Sequence, residues 1–249
     1  MNLPPPRLIG ATGGSGTRAF ARAARRAGLF TGADLNVSED SLPFGAYSDR
    51  WIDAYLPFRR AGTAPDPDLE ARMRADLERT LAAHLDGWDG TAPWGWKEPR
   101  SAFLLPFFAG VFPGLRFVHV VRDGRDMAFS TNQNQLRKHG AAWRIGERGS
   151  RQVRSIRLWS ALNTATAAYG REVLGDRYLR LRFEDLCARP AATIAELLRF
   201  AGLDGDPEEL ARDVEAPSGL GRWRGERRRV VAALEREAGE ALRLFGYVP

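Results

Sequence analysis

A glycine-rich turn near the N-terminus constrains the fold of this chain more than any other segment. Residues 7–11 (RLIGA) have the apolar character of a short strand, residues 10–16 (GATGGSG) form the turn, and residues 17–27 are rich in helix formers. Backbone N–H groups in such a turn, together with the positive end of the helix dipole, make a cradle for an anion. The sequence therefore predicts a strand, an anion-binding loop and a helix in succession.

Later segments extend this unit into an α/β fold. Residues 116–121 (RFVHVV) and 177–183 (RYLRLRF) carry the β-branched and aromatic residues typical of strands. Helical patterns cover residues 69–85, 148–174, 191–201 and 226–244, another helix should follow from Arg125, and Ser48-Asp49 should cap one more. Strands separated by helices predict a central, mainly parallel sheet with helices on both faces, in a single domain over residues 1–249.

The charge of the chain narrows its possible partners. The net charge is +6, and lysine occurs twice, at Lys97 and Lys138, among 37 basic residues. Such a balance suits a nucleic acid, solvated arginine faces or a small polyanion. The anion-binding turn favours a small polyanion, so we expect no nucleic-acid partner.

Cysteine and histidine are too few for a disulfide framework or a spaced metal motif, because the chain has one cysteine and three scattered histidines. No apolar run approaches the ~18 residues of a membrane span, and the first residues (MNLPPPR) lack the apolar part of a secretory signal. These features predict a cytoplasmic protein with no metal and no integral membrane segment.

A nucleoside-triphosphate site of the Walker A type does not fit the turn. If Gly16 is the last glycine of that motif, Thr17 and Arg18 stand where it requires Lys and Ser/Thr. The groups that serve the γ-phosphate and Mg²⁺ are therefore missing, and the sequence argues against an ordinary ATPase or GTPase.

The turn also resembles that of NAD(P)-binding short-chain dehydrogenases, since Gly14-x-Gly16-x-x-Ala19 fits a loose dinucleotide fingerprint. Those enzymes resemble one another in a catalytic Tyr-x-x-x-Lys. In this chain Pro93 and Asn134 stand four residues before the two lysines. A nicotinamide-binding protein stays an alternative, but its usual catalytic pair is absent.

A second candidate anion site follows the strand at residues 116–121. Arg122 stands at the end of that strand, and Ser130 should lie about two turns along the next helix. A guanidinium and a hydroxyl together suit a phosphate monoester. The chain thus predicts two anion sites at two strand ends.

With these motifs in their order, the chain resembles the PAPS-dependent sulfotransferases, and the tyrosylprotein-sulfotransferase-like branch most closely (PAPS is 3′-phosphoadenosine-5′-phosphosulfate; PAP is the bisphosphate product). The resemblance implies a P-loop-like three-layer fold and the transfer of a sulfuryl group from PAPS to an acceptor hydroxyl by in-line displacement. The matching elements are Ser15-Gly16-Thr17, Lys97-Glu98-Pro99, the R-D-G-R-x-x-x-x-S element from Arg122 to Ser130, Phe183-Glu184-Asp185-Leu186 and Ser218-x-x-Gly221-Arg222-Trp223.

The resemblance also implies site residues. The 5′-phosphosulfate would lie on the loop with its flanking Arg18, the 3′-phosphate on Arg122 and Ser130, and the nucleotide against Phe183 and the segment of Ser218 and Arg222. The loop residues are Gly13, Gly14, Ser15, Gly16 and Thr17. Family members usually carry Lys or Arg where this chain has Gly14, so a catalytically silent PAPS-binding protein is a second alternative.

Catalytic roles fall on one lysine and one carboxylate. Lys97 would stabilise the charge that develops on the leaving oxygen, and Glu39, then Asp40, then Glu98 are the candidate bases. The acceptor would be a small molecule or peptide carrying a hydroxyl, and the oligomeric state stays open. Four aromatic residues would either line the acceptor pocket or belong to the core: Phe44, Tyr47, Trp51 and Tyr55.

Overall fold

The computed structural model describes residues 3–248, in which four strands alternate with eleven α-helices. The strands are β1 (Arg7–Ala11), β2 (Gly95–Lys97), β3 (Arg116–Val121) and β4 (Tyr178–Arg182). The helices are α1 (Thr17–Arg26), α2 (Leu42–Ala61), α3 (Pro67–His84), α4 (Leu105–Val111), α5 (Gly124–Ala128), α6 (Asn134–His139), α7 (Arg151–Tyr169), α8 (Phe183–Ala188), α9 (Pro190–Ala201), α10 (Pro207–Ala211) and α11 (Arg228–Leu244).

The four strands form one parallel sheet in the order β2-β1-β3-β4. Ala11 at the end of β1 pairs with Val120 of β3, and Ile9 of β1 pairs with Lys97 of β2. The chain leaves β1 toward β2 on one side and later adds β3 on the other, so the strand order reverses between β1 and β3. In open α/β sheets the crevice outside the carboxyl ends at such a reversal is where ligands bind.

Helices cover both faces of the sheet, which confirms the predicted fold class. Side chains alternate between the two faces of a strand. Leu8 and Phe117 join the core beneath α2, α3 and α4, whereas Ile9 and Val118 join the core beneath α1 and α9. A third cluster packs α5, α7 and α11 together. No helix among residues 3–248 combines the length and apolar character needed to cross a membrane.

Two elements on the Lys97 side of the sheet differ from the prediction. Strand β2 has three residues and was not predicted. Helix α2 begins at Leu42, because the Ser41 hydroxyl accepts the N–H of Phe44 and caps it there, not at Ser48-Asp49.

The aromatic side chains of this helix belong mainly to the core. Phe44, Tyr47 and Tyr55 are at most 3% exposed, and Trp51 is partly buried against the same cluster. None of the four lines the crevice described below.

Candidate active site

A cleft of about 510 Å³ opens at the carboxyl ends of the strands. Each strand delivers a different group to it, since β1 leads into the glycine loop, β2 ends at Lys97, and Arg122 and Phe183 directly follow β3 and β4. The predicted site residues that line the cleft are Gly13, Gly14, Gly16, Thr17, Arg18, Asp40, Lys97, Arg122 and Phe183.

The loop after β1 has the geometry of an anion cradle. Gly14 and Gly16 lie in the left-handed region, with φ of 90° and 83°. Within residues 3–248, the N–H groups of Gly13, Gly14 and Gly16 donate no backbone hydrogen bond. Ser15 is fully buried, and its hydroxyl donates to the Thr12 carbonyl at 2.7 Å. The Ser15 hydroxyl therefore stabilises the loop from its buried side. The N–H groups of Gly13, Gly14 and Gly16 remain available to a ligand.

Gly16 is required by a close approach as well as by its backbone conformation. A Cβ at this position would lie 2.2 Å from Cδ2 of Phe183. The aromatic ring thus packs directly on the loop, which no side chain at position 16 would permit.

Gly16→Ala should lower the free energy of unfolding more than Gly28→Ala does. Both glycines have strongly positive φ, but a Cβ at Gly28 has no atom within 4 Å. Each alanine adds roughly 1–2 kcal/mol of backbone strain, and Gly16→Ala must also displace the Phe183 ring, for about 1–3 kcal/mol more. Urea unfolding of the two variants measures the difference. Equal losses of stability would show that the ring moves away freely.

Arg122 is a buried guanidinium with an unfilled hydrogen-bonding capacity. Its side chain lies over the Phe183 ring at 5.2 Å, and Nη2 donates to the Gly219 carbonyl at 2.5 Å and to Asp126 at 3.2 Å. Its Nε is buried and has no partner among the described residues. Because an unsatisfied buried donor costs about 1–3 kcal/mol, an anionic oxygen bound here would be favoured.

Ser130 does not lie on a helix, contrary to the prediction. Helix α5 ends at Ala128, and the Gln133 side-chain amide donates to the carbonyls of Met127 and Ser130 at 3.0 and 2.9 Å. These two bonds satisfy one carbonyl in the last turn of α5 and one just beyond the helix, where the chain changes direction. Ser130 nevertheless lies beside the glycine loop, since its Oγ is 3.8 Å from the position that a Cβ on Gly14 would occupy.

Lys97 and Asp40 form a contact within the cleft. The Lys97 ammonium is on a side chain that is 2% exposed, and it donates to Asp40 Oδ1 at 2.5 Å and to the Ser38 carbonyl at 2.7 Å. The Asn36 side chain fixes this loop by accepting the N–H groups of Ser38 and Asp40 and by donating to Asp40 Oδ2. Asp40 is therefore held toward the cleft.

Glu39 points away from the cleft. Its φ of 62° is left-handed, and its carboxylate pairs with Arg22 at 2.5 Å and with Arg25 at 3.7 Å. Glu39 lines a neighbouring groove along α1 and not the cleft itself. Of the two adjacent carboxylates, the structure brings only Asp40 to Lys97.

Glu98 lines the cleft but is itself 3% exposed. Burial raises the pKa of its carboxyl, while the Arg100 guanidinium, which donates to it at 2.8 Å, opposes that shift. The neighbouring Arg100 also contacts Asp49. Glu98 is thus a largely buried part of the cleft wall, held in an ion pair with Arg100.

The histidines lie away from this chemistry. None of the three lines the cleft, and burial lowers the pKa of His84 and of His119 to about 4. No cluster of three or more His, Cys, Asp or Glu side chains within residues 3–248 could hold a metal ion.

The segment after α10 is fastened to α5. Asp126 accepts the N–H groups of Gly221 at 2.7 Å and Trp223 at 3.2 Å. Arg222 donates to the Gly219 carbonyl, and Ser218 is exposed; neither lines the cleft. Other residues of this segment line it instead, namely Glu215 and Pro217.

Several cleft residues were missed from the sequence. They are Asn36, Ser38, Arg100, Asn132, Asn134, Gln135 and Lys138. A run of hydroxyl and amide side chains at residues 130–135 (STNQNQ) was the available signal for three of them.

Comparison with known sequences gives one family. The profile described as the sulfotransferase family matches residues 32–207, which is more than half of the chain. A search of curated protein sequences finds no significant match.

Comparison with solved structures gives the same fold. The sulfotransferase domain of the Synechococcus PCC 7002 olefin synthase matches with a TM-score of 0.59 and 20% identity, covering 100% of this chain and 96% of its own. The sulfotransferase domain of the curacin biosynthetic pathway has a TM-score of 0.58 and 11% identity, covering 100% and 99%. A mouse sulfotransferase complexed with PAP has a TM-score of 0.55 and 12% identity, covering 96% and 85%.

Proposed function

This chain belongs to the sulfotransferase family, and we propose that it transfers a sulfuryl group from PAPS to an acceptor hydroxyl in the cleft at the ends of β1 and β3. One observation carries the choice of donor. The cleft joins two anion-binding features, the free N–H groups of Gly13, Gly14 and Gly16 and the Arg122 guanidinium, whose Nε has no partner among the described residues. PAPS has anionic groups at its 5′ and 3′ positions, and these residues fit both.

The donor would be held by this chain's own groups as follows. The N–H groups of Gly13, Gly14, Gly16 and Thr17 would bind the 5′ end at the start of α1. Arg18 is exposed beside this loop and lines the cleft, so it supplies positive charge that Gly14 lacks.

The other end of the donor would lie on Arg122, with the Oγ of Ser130 beside Gly14 of the glycine loop. Arg122 and Ser130 would bind the 3′-phosphate, because a guanidinium forms strong charge-assisted hydrogen bonds to phosphate. Phe183 packs against Gly16 and lies beneath the Arg122 guanidinium, so it contacts a residue of each proposed site.

The bound donor supplies the sulfuryl group and a phosphate leaving group. The acceptor oxygen forms a bond to sulfur, the sulfur–oxygen bond to the phosphate breaks with its electron pair on the phosphate, and the acceptor proton goes to a carboxylate. We propose Asp40 as that carboxylate, since it lines the cleft and its side chain is 22% exposed. Lys97 would turn from Asp40 to the developing negative charge, which leaves Asp40 free to accept the proton.

The nicotinamide alternative has little support. A short-chain dehydrogenase needs a tyrosine activated by a lysine, but no tyrosine among the described residues lines the cleft. In this chain the two lysines are paired with carboxylates, Lys97 with Asp40 and Lys138 with Asp49.

We further propose that the chain forms a single domain and is located in the cytoplasm. The single sheet with helices on both faces supports one sulfotransferase domain over residues 1–249. The one cysteine, Cys187, is free and supports a reducing, cytoplasmic location.

A thermal-shift panel tests the donor. PAP should stabilise the protein far more than NAD, NADPH or ATP with Mg²⁺, because a ligand at 100 times its dissociation constant adds ~2.7 kcal/mol to the native state. The shift should persist in excess EDTA, since the loop lacks the groups that serve Mg²⁺ in a Walker A site. A larger shift with NADPH, or PAP binding that needs Mg²⁺, would reject the donor assignment.

Arg122→Ala should weaken PAP binding by about 10- to 150-fold, the equivalent of the 1.5–3 kcal/mol that a hydrogen bond to a charged group contributes. Adenosine-5′-monophosphate lacks the 3′-phosphate, and its affinity should change much less. Isothermal titration calorimetry with both ligands makes the comparison within one variant. An equal loss for both would remove Arg122 from the 3′ site.

A further inference from the structure

The backbone beside Arg122 is held by side chains that the proposed reaction does not use. The peptide group between Arg122 and Asp123 has both of its polar atoms bonded to a side chain. Its carbonyl oxygen accepts the Nε1–H of Trp159 at 2.9 Å, and its N–H donates to Oε1 of Glu184 at 2.9 Å. Because a peptide group is planar, two such bonds fix its orientation next to the Cα of Arg122.

Glu184 is itself held by a tyrosine from the segment that follows α11, residues 245–248. The Tyr247 hydroxyl donates to Oε2 of Glu184 at 2.9 Å, so both carboxylate oxygens have a partner. The Tyr247 ring lies beneath the Arg182 guanidinium at 4.4 Å and packs against Trp159 with a centroid separation of 6.2 Å. Tyr247 therefore contacts both of the side chains that bond to the peptide group after Arg122.

The same segment reaches Arg122 by a second route. The Arg125 guanidinium donates to the Tyr247 carbonyl at 2.8 Å and lies over the Trp223 ring at 3.7 Å. The Trp223 N–H donates to Asp126, whose carboxylate pairs with Arg122. The contacts thus close a ring that begins and ends at Arg122.

The Glu184 carboxylate depends on its two donors. Burial raises the pKa of this carboxyl, while the Asp123 N–H and the Tyr247 hydroxyl act in the opposite direction. Without the Tyr247 hydroxyl, Oε2 would have no hydrogen-bond donor among residues 3–248. The side chain could then turn toward another donor, and the peptide group after Arg122 would lose its fixed orientation.

We propose that Glu184 is a positioning residue for the 3′-phosphate of the donor, and that Tyr247 completes this site by holding Glu184. The inference rests on the proposed function, since it takes a 3′-phosphate as the ligand of Arg122. Neither Glu184 nor Tyr247 lines the cleft, so both act through the Arg122–Asp123 peptide group. Because coupling between two sites is reciprocal, a ligand with a 3′-phosphate should also stabilise the segment after α11.

Tyr247→Phe tests the coupling by removing one hydroxyl group. The variant should bind PAP about 5-fold or more weakly, the lower end of the usual coupling between sites, and adenosine-5′-monophosphate within about twofold of the unaltered protein. Tyr178→Phe is the matched control, because Tyr178 is also partly buried and its hydroxyl lies 2.8 Å from Nδ1 of His119. Tyr178 is at the start of β4, at the opposite end of that strand from Phe183. Isothermal titration calorimetry measures both ligands.

Three results of this experiment would overturn the inference and leave the donor assignment intact. They are an unchanged PAP affinity in Tyr247→Phe, an equal loss for the two ligands, and a loss in Tyr178→Phe as large as that in Tyr247→Phe. If the unaltered protein does not bind PAP, the proposed function is rejected, and this inference with it.

Variants of Glu184 test its positioning role directly. Glutamine keeps an oxygen that can accept the Asp123 N–H and gains an N–H that can donate to the Tyr247 hydroxyl. Glu184→Gln should therefore keep a PAP affinity within about threefold of the unaltered protein, whereas Glu184→Ala should lose at least as much as Tyr247→Phe. Similar affinities in the two Glu184 variants would contradict the role. If Glu184→Ala does not fold, the comparison of the two tyrosine variants decides.

Hydrogen exchange tests the reciprocal effect. PAP and adenosine-5′-monophosphate are compared at the same multiple of their dissociation constants, so that both stabilise the native state equally. The amides of residues 245–248 should exchange more slowly with PAP than with the monophosphate, and the difference should be smaller in Tyr247→Phe. Equal protection of these amides by the two ligands would contradict the coupling.

Discussion

Lys97→Met should lower the rate of sulfuryl transfer by about 10²–10³ while PAP affinity stays close to that of the unaltered protein. This is the loss seen when one donor to a developing anion is removed. Lys97 lies at the end of β2 and is paired with Asp40. Its charge would be used only as the leaving oxygen becomes negative, and an interaction confined to the transition state affects kcat and not ground-state binding.

The variant should fold, because Asp40 keeps its Asn36 partner and is partly exposed. Lys97→Arg should restore only part of the rate, since a planar guanidinium does not place its charge where an ammonium does. Hydrolysis of PAPS by the enzyme alone supplies the assay until an acceptor is available. Normal turnover in Lys97→Met, with PAP binding intact, would show that Lys97 is a bystander, and Arg18 would become the candidate. No turnover in the unaltered protein despite tight PAP binding would support the catalytically silent alternative.

Asp40→Asn should lower kcat by about 10²–10⁴, the usual contribution of a general base. Asparagine keeps the shape of the side chain but cannot accept a proton from the acceptor hydroxyl. Glu39→Gln is the matched control on the adjacent residue, whose carboxylate pairs with Arg22 and Arg25 outside the cleft. The kcat of both variants is measured in the steady state with an acceptor that the unaltered protein sulfates.

The pH dependence separates Asp40 from Glu98. A base acts only when it is deprotonated, and burial raises the pKa of Glu98 above its ordinary value of 4.5. If Glu98 were the base, activity would fall as pH drops through that raised pKa, and Glu98→Gln would abolish both the rate and this acidic limb. Such a result, with Asp40→Asn nearly as active as the unaltered protein, would overturn the assignment to Asp40.

The fold followed from the sequence where the patterns were long. Strands β1, β3 and β4 and helices α3, α7, α9 and α11 have sufficient periodic apolar residues to be recognised. Strand β2 has three residues, Gly95–Lys97, which is too short for any periodicity. Its parallel pairing with β1 is a tertiary contact, yet that pairing is what brings Lys97 to the cleft.

The site was predictable to the level of motifs but not of side-chain direction. The order of Glu39 and Asp40 as candidate bases depends on the left-handed φ of Glu39, which turns one carboxylate outward and the next inward. The position of Ser130 depends on a side-chain cap from Gln133 that ends α5 early. Both features arise from local hydrogen bonds and backbone dihedral angles, which the helix propensities of the residues do not predict.

Phe183 has a consequence for the selection of ligands by size. Its ring lies against Gly16 on one side and beneath the Arg122 guanidinium on the other. The two proposed anion sites, on the glycine loop and on Arg122, would therefore share one buried aromatic side chain, which limits how far their separation can adjust to a ligand. We expect the cleft to select ligands by the distance between their two anionic groups. An isomer of PAP that is phosphorylated at the 2′ position in place of the 3′ position should then fill one site and miss the other.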